Sequence, residues 1–365
     1  MKVLCTGLSG LNKRDHLERI AAMLRAEGLE VALFHTGDLM YAEDPTIAPG
    51  RILDLPLGQL RQLRRTVFRD ILRCGADNVI VNTHATFRWR RGLFSAFDVD
   101  QITGFGADLY LCFVEDVDQT YLRLRETQLP DAFEYTMKDL FVWREEEMLA
   151  TELIAGIPKK KGSFVIVPLP DADVIVRCLF LRPELKRAYV SFPITNVLDK
   201  PDLMADIGRF KGEMKKIFLT FDPFSVKESW MVAELEKIRS GAVDRDYMEV
   251  EFEGVMHRLP ADEVAPCVRD IEGQIVARDL MLIDQSDLIV AYMPDVGGQP
   301  VNSPGVMREI THAYHTTKDV YIVWTSPSDP SPFIKDIVPQ KIYGSLDEAV
   351  EGLKKVAAGS RQATK

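Results

Sequence analysis

The stretch IVARDLMLIDQSDLIVAYMP, followed by DVGGQPVNSPGVMREITHAY, carries residue types on which chemistry could rest. Arg278 and Asp279 sit on a helical pattern that runs into a strand introduced by Asp287. Beyond that strand a turn-rich loop delivers Ser303, Gly305 and then Glu309. Ser303 can cap the helix that follows, and Gly305 lets its backbone approach a ligand. Glu309 falls in the first turns of that helix, at the carboxyl end of a sheet strand. Open α/β sheets bind ligands at this edge. Taken singly, an Arg-Asp pair on a helix forms solvated salt bridges, and a glutamate near a helix start complements the dipole. Their joint occurrence is what points to a site.

A second candidate is CTGLSGLNKRDH, residues 5 to 16, a phosphate loop of the GxxxxGK[ST] kind with departures. Gly7, Gly10 and Lys13 are in place, but Asn12 replaces the last glycine and Arg14 the metal-binding hydroxyl. Such a loop wraps phosphates with backbone N–H groups and holds magnesium through that hydroxyl. Asparagine tolerates left-handed backbone better than most residues, so the loop shape is expected to survive. The magnesium hydroxyl does not.

The elements that must position these residues alternate between strand and helix from end to end. KVLCTG, EVALFHTG, NVIVNTHA, DLYLCFVED and SFVIVP read as strands, the continuous apolar ones of the type buried in parallel sheets. Helices are expected over residues 15–27, through LGQLRQLRRTVFRDILRCG, and over 139–155. A second series runs from RAYVSFPIT through KIFLTFDP, DLIVAYMP and DVYIVW, with helices between, ending on SLDEAVEGLKKVAAG. Residues 244–269 have weak periodicity and are expected to form an insertion or lid. The alternation predicts an α/β fold of two doubly wound parallel-sheet domains, 1–185 and 186–365.

NVIVNTHATFRWRRGLFSAF with ADLYLCFVEDVDQTYLRLRE resembles archaeal adenylate kinase over roughly the first half of the chain. In that family the run before THA ends in an aspartate that organises magnesium; here it is Asn82. Arg123 and Arg125 resemble the family's lid arginines. The resemblance implies a P-loop, nucleoside-monophosphate-kinase-like fold that binds nucleotide or phosphate through Gly7, Gly10, Asn12, Lys13, Arg14, Arg123 and Arg125. ATP or another nucleotide is the ligand it implies. With hydroxyl and carboxylate both replaced, the groups that place the metal in phosphoryl transfer are gone. A pseudokinase or regulatory role is expected.

The SxGxxxE run from Ser303 to Glu309 resembles the nucleoside 2-deoxyribosyltransferase superfamily, over roughly residues 187 to 357. It is most similar to the 2′-deoxynucleoside 5′-phosphate N-hydrolase branch. The resemblance implies a flavodoxin-like domain in which Glu309 attacks C1′ of the sugar and Asp279 assists. Ser191, Thr195, Asp287, Ser303 and Gly305 would contact substrate. N-glycosidic cleavage passes through an oxocarbenium-like state that a carboxylate can trap while a second acid protonates the leaving base. Phe192 and Pro193 depart from the glycine-containing loop usual after the family's first strand. No cofactor is implied for glycosidic cleavage, and homo-oligomerisation is implied because related enzymes complete their pocket from a neighbouring subunit.

Bulk composition narrows the partners. The chain has 365 residues, 46% hydrophobic and 27% charged, with 45 basic against 55 acidic side chains and a net charge of −10. A nucleic-acid backbone is excluded as main partner, because such binding rests on basic patches. No apolar run reaches membrane-spanning length, and the start lacks the pattern of a signal peptide. Five scattered cysteines without a CxxC pair suit reduced thiols in a cytoplasmic protein. The reading is a small-molecule nucleotide as partner, neither nucleic acid nor membrane, no metal ligands, and glycosidic hydrolysis or transfer. A non-catalytic nucleotide sensor and an AMP-type kinase are the alternatives.

Overall fold

The computed structural model describes residues 1–89, 92–127, 135–159, 162–194, 200–301, 303–338 and 342–359. The chain forms two compact units, Met1–Phe180 with Val226–Gln274 and Leu181–Ser225 with Ile275–Lys365. Both are α/β, with parallel sheets flanked by helices. No helix among the described residues is long and apolar enough to cross a membrane.

The first unit opens with β1 (Lys2–Gly7), α1 (Lys13–Ala26), β2 (Val31–His35), α2 (Thr36–Glu43) and α3 (Leu57–Leu72). It continues with β3 (Asn78–Asn82), the hairpin β4 (Thr86–Trp89) and β5 (Gly92–Ser95), α4 (Val99–Phe105) and β6 (Leu109–Val114). Helices α5 (Val117–Thr127) and α6 (Met137–Ala155), strand β7 (Ser163–Pro168) and helix α7 (Ala172–Leu181) follow. The sheet order is β2-β3-β1-β6-β7, all parallel. Every residue of β6 is buried, as expected of a central parallel strand covered on both faces. Helix α6 starts two residues earlier than its pattern predicts, because Thr136 and Asp139 close a capping box ahead of it.

The second unit begins with β8 (Arg187–Ser191), α8 (Pro201–Ile217) and β9 (Leu219–Phe221). The chain then returns to the first unit for α9 (Ser229–Arg239), the hairpin β10 (Tyr247–Phe252) and β11 (Val255–Pro260), and α10 (Ala261–Val264). A division at 185/186 and the compact units in space therefore differ over Val226–Gln274. Lys227 N–H and Val117 N–H bind Asp116 and Glu228, and the buried Arg144–Glu228 ion pair joins α6 to this stretch. Residues 244–269 hold a short two-stranded hairpin in which β10 buries alternate residues while β11 is mostly exposed, so no helical period runs through them.

Helix α11 (Val268–Asp284) leads to β12 (Leu288–Met293), the short hairpin β13 (Asp295–Val296) and β14 (Gln299–Pro300), and α12 (Pro304–His315). Strand β15 (Asp319–Trp324), α13 (Pro332–Ile337), β16 (Ile342–Tyr343) and α14 (Leu346–Gly359) complete the unit. Its parallel sheet runs β16-β15-β12-β8-β9. Counted within the unit, that order is 5-4-3-1-2, so the winding reverses between β8 and β12. Crevices form at the carboxyl ends of strands where winding reverses. One face of the sheet packs Val190, Val290 and Val323 against Phe210 and Met214 of α8 and Leu353 of α14.

Candidate active site

Tyr189 and Ser191 are two residues apart on β8, so both side chains leave the same face of the strand. Both reach Glu309. The Tyr189 hydroxyl lies 3.0 Å from Oε1, and the Ser191 hydroxyl donates to Oε2. Glu309 itself is placed by the cap of α12: Ser303 Oγ accepts from Val306 N–H at 3.2 Å, with Pro304 opening the first turn. The carboxylate thus stands at the carboxyl end of β8, beside the reversal in winding.

Asp279 lies one turn before the end of α11. Its Oδ1 is buried without a hydrogen-bond partner. Burial pushes its carboxyl up to about 6, with Arg278 holding it back and Asp222 adding to the rise. Glu309 is pushed up to about 7 by burial, against the hydrogen bond from Ser191, with the charge of Asp279 adding to the rise. The charge of Asp279 thus bears on Glu309, and that of Asp222 on Asp279. Burial, with Glu309, Asp279 and Asp222 as neighbours, drives the Tyr189 hydroxyl well above its ordinary value. Tyr189 stays a donor.

Asp222 is a member that the sequence reading missed. It follows β9, is 4% exposed, accepts from Phe224 N–H at 2.8 Å and pairs with Lys211. The Lys211 ammonium stands 5.7 and 5.4 Å from the Phe192 and Phe224 ring centres, and those rings stack at 5.3 Å. An acid directly after a strand, in LTFDP, is a signal of sorts. It acquires meaning only once β9 is seen to pair with β8.

Asp287 does not join this group. It precedes β12 and accepts from Arg187 N–H at 2.7 Å, at the amino end of the sheet. The length of a strand, roughly 13–16 Å, separates that end from Glu309. Its role is to lock the starts of β8 and β12 together. Gly305 is exposed, and an added Cβ would meet only Ser303 Oγ, at 3.7 Å. Nothing within the free protein demands glycine there. Thr195 lies outside the described residues.

In the first unit the phosphate-type loop is built as its residues suggest. Gly7 has φ +141° with the Phe113 carbonyl and Leu11 crowding the place of a Cβ, at 2.7 and 2.8 Å. Asn12 adopts φ 50°, ψ 31°, the left-handed region, as the N-cap of α1. Lys13, however, is 6% exposed and turned inward, donating to the carbonyls of Gly7 at 2.6 Å and Thr83 at 3.2 Å. Its counter-charge is Glu147, 1% exposed, which accepts from the N–H groups of Gly7, Ala85 and Thr86 and from Thr86 Oγ1. Burial lowers the lysine to about 8, against the pull of that carboxylate. The chain's own carboxylate thus occupies one loop N–H.

Arg14 is exposed and paired with Glu18 and Asp38 at 3.0 and 2.9 Å. Asn82 Nδ2 lies 3.0 Å from His35 Nδ1. Arg123 is spent on Glu115 and on the Gly10 carbonyl at 2.7 Å, and Arg125 lies over Tyr121 at 5.5 Å. Gly10, Asn12, Lys13 and Arg14 line a cavity of about 330 Å³; the two expected lid arginines are not among its described walls. No protein-family model matches the chain, and no curated protein is significantly similar to it.

Proposed function

We propose that the second unit cleaves or transfers at the N-glycosidic bond of a (deoxy)nucleoside 5′-monophosphate, with Glu309 and Asp279 as catalytic residues. The observation that carries this reading is a half-buried glutamate held by two hydroxyls beside an aspartate whose Oδ1 has no partner. Hydrogen bonds to a carboxylate favour its charged form. Burial pushes Glu309 up to about 7 and Asp279 to about 6 even with the hydroxyls of Tyr189 and Ser191 on Glu309, so catalysis would draw on the less populated form in which Glu309 is charged and Asp279 holds the proton. Glu309 then meets the developing positive charge at C1′, and Asp279 delivers its proton to the departing base. The Ser303 hydroxyl and the Gly305 N–H at the start of α12 offer a seat for the 5′-phosphate.

The unit's strand order, 2-1-3-4-5 from one edge, supports a flavodoxin-like reading. The order β2-β3-β1-β6-β7 and the loop geometry support a P-loop-kinase-like ancestry for the first unit, acting as a nucleotide-binding pseudokinase or regulatory module. The inward Lys13, the Asn82–His35 contact and the paired Arg14 weigh against phosphoryl transfer.

The deciding experiment is incubation with a panel of ribo- and deoxyribonucleoside monophosphates, followed by chromatography. Free base that disappears with Glu309→Gln supports the reading. Binding without turnover across the panel would replace it with a nucleotide sensor.

A further inference from the structure

Arg64 lies on α3 at 7% exposure, and the chemistry described so far leaves it unused. Its Nε is buried with no hydrogen-bond partner. The guanidinium sits 5.1 Å from the centre of the Phe87 ring, on the wall of the 330 Å³ cavity beside the loop. That volume is at the lower end of small-molecule sites. Two more buried polar atoms without hydrogen bonds belong to residues of the same wall, Thr36 Oγ1 and His35 Nε2. The latter has Glu18 at 3.5 Å.

A buried guanidinium without an acceptor is costly to keep. The other cations on the wall already have theirs: Lys13 on backbone carbonyls, Arg14 on two carboxylates. Burial also keeps His84 neutral, with Lys13 and Arg64 acting in the same direction. One positive group without a hydrogen-bond acceptor at its Nε therefore faces the cavity, with Glu147 acting on it only through its charge, and Met40, Leu60 and Phe87 supply apolar wall beside it.

We propose that this cavity binds a small organic anion through Arg64, with the ligand's flat or apolar body against Phe87, Leu60 and Met40. A phosphate monoester and a carboxylate share the required chemistry. The anchor is thus a residue of α3 and not the loop lysine. The site belongs to the first unit alone and stands whether or not Glu309 cleaves glycosidic bonds.

Calorimetric titration of the full chain with AMP, benzoate and inorganic phosphate tests this. AMP or benzoate is expected to bind more tightly than inorganic phosphate; preference for AMP assigns a phosphate ester, preference for benzoate a carboxylate. Arg64→Leu should weaken the preferred probe by tenfold or more, as loss of a charge-assisted contact requires. Without ligand it should melt no lower than wild type, because an unpaired buried charge is gone. Arg64→Lys, which keeps the charge but loses the planar fork, should also bind more weakly and carries the test if the leucine variant does not fold. Absence of binding by all three probes, or a folded Arg64 variant that binds like wild type, would overturn the proposal.

Discussion

Tyr189 donates its hydroxyl to Glu309 across 120 residues of sequence, joining a strand of the second sheet to a helix that follows another strand. The contact favours the charged form of the glutamate, against burial, because the buried phenol keeps its proton and donates it to the carboxylate. Glu309→Gln keeps the shape and removes the charge. Base release should fall by about 10²–10⁴ while nucleotide binding persists, since the loss is confined to the transition state. Steady-state rates beside equilibrium binding check it, and an unchanged rate would exclude Glu309 from the chemistry.

Tyr189→Phe removes one donor to the carboxylate. The charged form of Glu309 loses support, so its pKa rises further and the acidic limb of the kcat/KM profile moves to higher pH. At the optimum the rate should change by less than about tenfold, the scale of one neutral hydrogen bond. A pH profile that does not move would mean the hydroxyl has only a packing role.

Stability should fall as pH rises through the window set by the same carboxyls. In the folded chain Asp279 titrates near 6 and Glu309 near 7, against ordinary values of 3.8 and 4.5. The folded state therefore holds protons that the unfolded chain has released. Their contribution is complete below the unfolded values and is lost between about pH 4 and 7. Asp279→Asn should accordingly raise the melting temperature at pH 8 by several degrees, roughly 1–3 kcal/mol, and gain much less at pH 4. An equal gain at both pH values would contradict a charge-based cause.

Lys13→Met leaves Glu147 buried without its counter-charge. Removal of one partner from such a pair costs about 3–5 kcal/mol. Adding Glu147→Gln should restore part of that loss, which a double-mutant cycle in denaturant would show. Strict additivity of the two changes would deny the coupling.

Magnesium-dependent formation of ADP from AMP and ATP should be absent at ordinary kinase rates of about 1–100 per second. Coupled assay of the purified chain decides this. Turnover in that range would restore CTGLSGLNKRDH as a working kinase loop.

Local matters were legible in the sequence because their causes are local. The apolar runs that became β1, β6 and β12, the capping role of Ser303 and the left-handed Asn12 follow from side-chain period and backbone preference within a few residues. The spacing from Ser303 to Glu309 likewise sets where the glutamate falls on its helix. What lies beyond the reach of one element was decided by tertiary structure. Asp287 and Ser191 flank the same paired strands, yet parallel register puts them at opposite ends of the sheet. Asp222 joins the carboxylates only because β9 pairs with β8, and Val226–Gln274 packs with the first unit through Arg144 and Glu228. Lys13 turns inward onto the Thr83 carbonyl and His84, which the pairing of β3 with β1 brings beside the loop. Each of these depends on which distant strands pair and which buried charges must find partners. Such partners are chosen by burial and register in space, and a linear pattern of residue types carries no record of that choice.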